Sequence, residues 1–321
     1  MHVLIYGGGA VGLGIASCLI RMPNRVEILA RERTVAALRE SGLTRTGIFG
    51  RTHARPEEFV CLESLADLQG SEFDLVLVCT KSFDSAAAAK DLAEHGDRIG
   101  GKARLVLFQN GWGNAEAFCE RFDKDRVYNA RVITGFRRSS PAEVEITVHA
   151  DAIHVGSLFS ADLSAVEPLC RAIRDGGIPC EVTDAIEKDL WAKMLYNCAL
   201  NPLGAILRVP YGALAAEAST RMLMDRIVEE VFAVMEAAGY RTHWNRPEEF
   251  LRVFYERLVP DTAGHRSSML QDISAGKRTE IEALTGAALK LAERYDLDVP
   301  HTRVVHNLIR FIESSAWPAR E

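Results

Sequence analysis

Six residues near the start, Gly7-Gly8-Gly9-Ala10-Val11-Gly12, restrict the folding of this chain more than any other stretch. They follow an apolar run, Val3-Leu4-Ile5-Tyr6, and precede a small-residue, apolar segment from Leu13 to Ile20. Strand, glycine turn, helix is the context in which G-x-G-x-x-G (Gly7, Gly9, Gly12) carries meaning. Gly7 permits the tight turn, Gly9 lets the backbone approach a pyrophosphate, and Gly12 lets helix and strand close up. The start of the helix, with Gly8, Ala10 and Val11 in the same loop, then faces the anion. Glycine turns also occur in α/β proteins that bind no nucleotide. A second strand following this one favours dinucleotide binding, and a Rossmann-type βαβ start is expected.

That second strand is Arg25 to Ala30, and it ends at Arg31-Glu32-Arg33. An acidic residue at this end binds the ribose 2′-hydroxyl of NAD, whereas a basic one suits the 2′-phosphate of NADP. Arg31 directly after the strand, with Arg33 close by, favours NADP; Glu32 leaves NAD open. Thr44–Thr52 and Phe59–Leu62 read as strands, with Leu65–Leu68 as a short helical turn. Phe73–Cys79 is a buried strand ending in Thr80-Lys81-Ser82. A lysine at the carboxyl end of a parallel strand points toward ligand, so Lys81 is a candidate cofactor contact, or else a solvated loop lysine. Arg104–Phe108 is the next strand and runs into Gln109-Asn110-Gly111-Trp112-Gly113. Asn110 offers an amide to cofactor or substrate; the plain alternative is an Asn-Gly turn. Tyr128–Thr134, Val144–His149 and Ile153–Val155 suggest an antiparallel extension of the parallel sheet.

Near Ala185 the pattern changes. Helical periodicity covers 186–207, 213–238, 248–258, 266–273, 279–295 and 304–315 with no strand between. The expected fold is therefore α/β: a nucleotide-binding Rossmann-type domain over 1–184, then an all-α domain over 185–321. A length of 321 residues agrees, being long for a single core. Within the first of these helices Lys193, Asn197 and Asn201 are spaced i, i+4, i+8, which puts one lysine and two amides on a single stripe. Such a stripe on a buried helix costs desolvation unless something pairs with it. Pro202 just beyond should kink the helix.

Composition removes several classes. A net charge of −6 argues against binding nucleic acid or anionic membranes. No run approaches the roughly 18 apolar residues of a membrane span, and the start shows no basic leader region. The 7 cysteines are odd in number, scattered and never C-x-x-C. Neither structural zinc nor a disulfide framework is expected, no metal site is foreseen, and a reducing cytoplasm fits. A helical second domain is compatible with a homodimer.

Two further segments are distinctive: Trp191-Ala192-Lys193…Asn197…Asn201-Pro202, and Ser267-Ser268-Met269-Leu270-Gln271-Asp272 followed by Thr279-Glu280-Ile281. With the glycine turn and the Gln109-Asn110-Gly111 loop, they make the whole chain resemble the ketopantoate reductase (2-dehydropantoate 2-reductase) family. The resemblance implies NADPH-dependent reduction of 2-dehydropantoate to (R)-pantoate, a step toward pantothenate and coenzyme A. It implies Lys193 as catalytic lysine with Glu280 beside it, and Asn110, Asn197, Asn201 and Ser268 in the substrate pocket. It further implies Arg31 and Lys81 at the cofactor. Many relatives carry an asparagine where this chain has His265.

The chemistry also stands on the residues alone. Hydride transfer to a 2-keto acid leaves charge on the carbonyl oxygen, and a positioned lysine that donates a proton stabilises it. Without the resemblance, Lys193 and Glu280 equally describe a buried ion pair, with the asparagines bonding neighbouring helices. Ser268-x-x-Gln271 and Thr279-x-x-Glu282 both read as capping boxes, the second leaving Glu280 unengaged in capping. Another 2-keto acid, or a non-catalytic NADP-binding regulator, are the other readings; a regulator has no need of a proton donor.

Overall fold

The computed structural model describes residues 1–70 and 72–314. The chain forms two compact units, one of Met1–Gln109 with Asn114–Ile186, the other of Asn110–Gly113 with Glu187–Glu321.

The first unit holds all the strands of the described residues: β1 (His2–Tyr6), β2 (Arg25–Leu29), β3 (Leu43–Gly47), β4 (Thr52–Ala54), β5 (Val60–Leu62), β6 (Leu75–Val78), β7 (Arg104–Leu107), β8 (Val127–Arg131), β9 (Thr134–Ser140), β10 (Glu143–His149), β11 (Ile153–Gly156) and β12 (Cys180–Val182). Eight of them form one sheet in the order β12-β11-β8-β7-β6-β1-β2-β5. From β5 to β8 every pairing is parallel. Taken in chain order these six run 3-2-1-4-5-6, the doubly wound arrangement whose direction reverses beside β1. Burial explains which strands are central: Val3, Leu4 and Ile5 are fully buried and all of β6 is buried, as expected where helices cover both faces. Helix α1 (Ala10–Leu19) follows β1, and α2 (Glu32–Ser41) follows β2.

The stretch from 127 to 155 departs from expectation. β11 does add antiparallel to β8, with β12 parallel beyond it. β9 and β10 instead pair with each other and join β3 and β4 in a separate four-stranded sheet. The small sheet rests on α1 because Gly14 has no side chain: a Cβ there would lie 2.3 Å from the Phe136 ring of β9. Gly-Phe-Arg-Arg-Ser-Ser has one large apolar residue and no period-two pattern, so β9 leaves little trace in the sequence. Arg45 of β3 is fully buried and donates from Nη1 to Cys18 Sγ (3.0 Å) and the Gly176 carbonyl (3.1 Å), tying this sheet to α1.

The second unit has helices and no strand among its described residues: Ile186–Leu207, Tyr211–Ala216, Ala218–Ala237, Pro247–Val253 continued by a π turn at Phe254–Leu258 and a helical turn at Val259–Asp261, Ser268–Ser274, Thr285–Arg294 and Pro300–Ser314. The first helix is continuous past Pro202. The expected helix 213–238 is interrupted at Glu217, whose backbone is extended (φ −103°, ψ 131°). The expected helix 279–295 starts as a single 3₁₀ turn, Ile281–Ala283, and restarts after Leu284. Ile227, Val228, Val231, Phe232 and Val234 of Ala218–Ala237 are buried, the apolar stripe that closes the core. No helix of the described residues is long and apolar enough to cross a membrane. Among the described residues no group of three or more His, Cys, Asp or Glu could hold a metal ion.

Candidate active site

In the first unit the glycine turn divides its labour. Gly7 sits at φ +118°, a region that side chains avoid. A Cβ on Gly12 would lie 2.1 Å from the Gly7 carbonyl, and one on Gly8 would lie 2.5 Å from Ala30 Cβ. Gly9 is different: a Cβ there meets only the Cys79 carbonyl, at 3.8 Å. The fold itself therefore needs Gly7, Gly8 and Gly12, while Gly9 leaves space above the turn. The N–H groups of Gly7 and Gly8 bond the Leu29 carbonyl, and that of Gly9 bonds Gly7. Those of Ala10, Val11 and Gly12 open α1, where helix geometry provides no acceptor. Room over the backbone and three outward donors at a helix start suit a dinucleotide pyrophosphate.

Arg31 caps α2 through its backbone, directly after β2, and its side chain is exposed beside exposed Glu32 and Arg33. Lys81 is half-buried at the carboxyl end of β6, where Gln109 donates to its carbonyl (3.3 Å) and to Thr80 Oγ1 (3.2 Å). The Ser85 hydroxyl lies within hydrogen-bond reach of the Ser82 carbonyl (2.8 Å), Asn114 Oδ1 (3.0 Å) and Gln109 Oε1 (3.2 Å). The carboxyl ends of β6 and β7 are thereby linked by a buried polar cluster that no local pattern signals.

The second unit assembles the polar stripe. Lys193 Nζ donates to Asn110 Oδ1 at 2.6 Å, and Asn110 Nδ2 donates to Glu280 Oε2 at 3.2 Å. One amide thus spans a cation and a carboxylate, and its two ends are oriented by the two charges. Glu280 is buried and Lys193 half-buried, so these bonds replace hydration that burial removes.

Asn110 stands 83 residues from Lys193, and its four-residue segment packs with the helical unit rather than with the domain whose sequence range contains it. Gly111 is the reason. At φ +89° its Cα passes so close to Ala283 that a Cβ would lie 2.3 Å from the Ala283 carbonyl. Trp112 N–H then donates to that carbonyl at 2.8 Å. The Trp112 ring packs 4.7 Å from both Trp191 and Tyr240, two residues ahead of Lys193 on the helix side. Trp191 and Trp112 stand in motifs visible in the sequence, but their meeting with Tyr240 is not visible there.

Asn197 and Asn201 are buried on the same stripe as Lys193. Tyr211 Oη donates to Asn201 Oδ1 at 2.5 Å. Burial, and then the neighbouring Tyr196, push the Tyr211 phenol well above its ordinary range, so it keeps the proton it donates. With its carbonyl taken, the Asn201 amide presents donors. His265 lies with its ring 5.3 Å from Tyr211; burial depresses its pKa, so its imidazole is neutral at pH 7.

Both capping boxes are corrected. Ser267, not Ser268, caps the helix Ser268–Ser274, accepting from Leu270 N–H at 3.0 Å. Ser267 is fully buried and also donates to the Asn201 carbonyl (3.4 Å), whereas Ser268 is exposed in the first turn. Thr279 Oγ1 accepts from Ile281 N–H, but the Thr279 N–H goes to Glu313 (2.6 Å) and Glu282 pairs with Arg310. Glu280, not Thr279, is the N-cap of the turn Ile281–Ala283, and its carbonyl accepts from Ala283 N–H at 3.1 Å.

Comparison with known proteins accounts for both units. Residues 3–159 match the family model of "Ketopantoate reductase PanE/ApbA", and residues 185–313 its C-terminal counterpart. The chain is 33% identical to the 2-dehydropantoate 2-reductase of Aquifex aeolicus over 97% of its own length and 96% of that protein's. It is 30% identical to the Halobacterium salinarum enzyme of the same name, over 98% and 99%. A ketopantoate reductase structure from Ralstonia eutropha superposes with a TM-score of 0.84 at 28% identity, covering 98% of both chains. D-Mandelate dehydrogenase, solved with NADH and anilino(oxo)acetate, superposes at 0.87 but with 20% identity, covering 98% of this chain and 99% of that one, a likeness of fold.

Proposed function

Because the chain belongs to the ketopantoate reductase family, a family of nicotinamide-dependent oxidoreductases, we propose that it reduces 2-dehydropantoate to (R)-pantoate with NADPH, in the cytoplasm, toward pantothenate and coenzyme A. The observation that carries this reading is the Lys193–Asn110–Glu280 chain of hydrogen bonds. It supports a lysine held in one place by an acceptor that is itself held.

NADPH, when bound, supplies the hydride. Gly7 to Gly12 would hold its pyrophosphate, Arg31 its 2′-phosphate, and Lys81, at the end of β6, would contact it as well. As the substrate carbonyl carbon accepts the hydride, its oxygen gains a charge. Lys193 donates a proton from Nζ to that oxygen, and its remaining positive field stabilises the charge beforehand. Asn110 Oδ1 orients the ammonium, and Glu280 orients Asn110. The donors of Asn197 and Asn201, with the exposed hydroxyl of Ser268, suit the carboxylate and hydroxyl of the substrate.

The same residues would serve a different 2-keto acid, and neutral His265 sits against Tyr211, the residue that holds Asn201. The deciding experiment is NADPH oxidation measured over a panel of 2-keto acids. Ketopantoate is expected to give the highest kcat/KM; another acid ahead of it by tenfold or more would overturn the substrate assignment while leaving the chemistry.

A further inference from the structure

At the carboxyl end of β2 two arginines open α2, and a third reaches the same turn from the small sheet. Arg138, on β9, donates from Nη1 to the Gly8 carbonyl (3.3 Å) and from Nη2 to Thr34 Oγ1 (3.1 Å) and the Pro141 carbonyl (2.9 Å). Gly8 is in the glycine turn and Thr34 in the first turn of α2, whose N–H bonds the Arg31 carbonyl at 2.8 Å. All three acceptors are neutral. Among the described residues no carboxylate forms an ion pair with Arg31, Arg33 or Arg138.

The adjacent arginine on β9 behaves differently. Arg137, the neighbour of Arg138 on β9, pairs with Glu145 across the hairpin. Arg138 meets instead a like charge: desolvation, and then Arg33, lower its pKa. Like charges held together without a counterion cost free energy that an anion would recover. Five guanidinium N–H groups less the three used here leave two for such an anion. A phosphate monoester, with up to two charges and several acceptor oxygens, matches a set of guanidiniums better than a carboxylate does. In a strand–glycine turn–helix unit, the end of the second strand is where the adenosine ribose 2′ position lies.

We propose that Arg138 is a specificity-determining residue, contributing with Arg31 and Arg33 to a seat for the 2′-phosphate of the cofactor's adenosine ribose. The inference rests on the NADP reading above and adds a residue outside the βαβ unit, brought to the site by the accessory sheet. One guanidinium thus links the small sheet, the glycine turn and α2.

The test is calorimetric titration of the full chain with adenosine 2′,5′-bisphosphate and with adenosine 5′-monophosphate, which differ only in the 2′-phosphate. The wild type should favour the bisphosphate. R138A should weaken the bisphosphate about tenfold, as for loss of one charge-assisted contact, and change the monophosphate less than about twofold. R138K should recover part of the loss. R138Q, which keeps length and hydrogen bonding without charge, is read in the same way if R138A does not fold. A preference that survives R138A and R138Q overturns this inference alone. Parallel weakening of both ligands also overturns it, because Arg138 would then only brace the glycine turn. A wild type indifferent to the 2′-phosphate overturns the NADP reading and this inference together.

Discussion

At the scale of single residues, one amide stands between the cation and the carboxylate of the candidate site. Asn110 accepts from Lys193 and donates to Glu280; an aspartate there would lack the donor, and an alanine both groups. The proposed function makes Lys193 the proton donor to the carbonyl oxygen. K193A should therefore lower kcat by at least about a hundredfold, while NADPH still quenches or shifts fluorescence at nearly the wild-type concentration. Near-normal turnover in K193A would remove Lys193 from the mechanism, and lost cofactor binding would show a structural effect instead. Ser267 illustrates the opposite case, a buried hydroxyl with a plain structural duty. It caps a helix at Leu270 N–H and reaches the Asn201 carbonyl, so S267A should cost about 1 kcal/mol of stability, seen as a lower Tm.

At the scale of elements, the loop after β7 is decisive. Gly111 and Gly113 both have positive φ, +89° and +90°. Only Gly111 also lies against backbone, its would-be Cβ 2.3 Å from the Ala283 carbonyl; Gly113 has nothing within 4 Å. The two substitutions therefore separate conformational strain from contact. G113A should lose on the order of 1 kcal/mol for its left-handed backbone. G111A should lose more and, by displacing Asn110, should also depress kcat, measured by thermal unfolding and steady-state rates. Equal effects on Tm and kcat in the two variants would mean that the approach to Ala283 does not position Asn110. The helix Ile186–Leu207 carries the other half of the arrangement. Its continuity through Pro202 keeps Lys193, Asn197 and Asn201 in register over two turns.

At the scale of the whole molecule, two half-buried histidines and one buried one set a pH dependence. His149, His265 and His306 all have pKa values pulled below the ordinary histidine value, with desolvation the largest cause in each. A lowered folded-state pKa means that the unfolded chain takes up protons first as pH falls below about 6.5. Their contribution to stability is complete above that pH and is lost on acidification. Tm should fall by a few degrees between pH 7.5 and 5.5, and H265Q or H306Q should flatten part of the slope; a Tm that rises toward pH 5.5 would contradict this. The same scale separates what the chain's sequence determined from what only folding decided. The β1–glycine turn–α1 unit, the parallel run of apolar strands, the change to helices near residue 185 and the Lys193 stripe were all legible, because each is written within one local period or one short motif. The second sheet was not, because β9 carries no alternating pattern and exists by virtue of Gly14 yielding space to Phe136. Nor were the docking of Asn110 against Lys193 and Glu280, the transfer of the cap from Ser268 to Ser267, or the reach of Arg138 to Gly8 and Thr34. Those depend on contacts between residues as much as 170 positions apart, and a local pattern holds no information about which distant backbone will come within 3 Å.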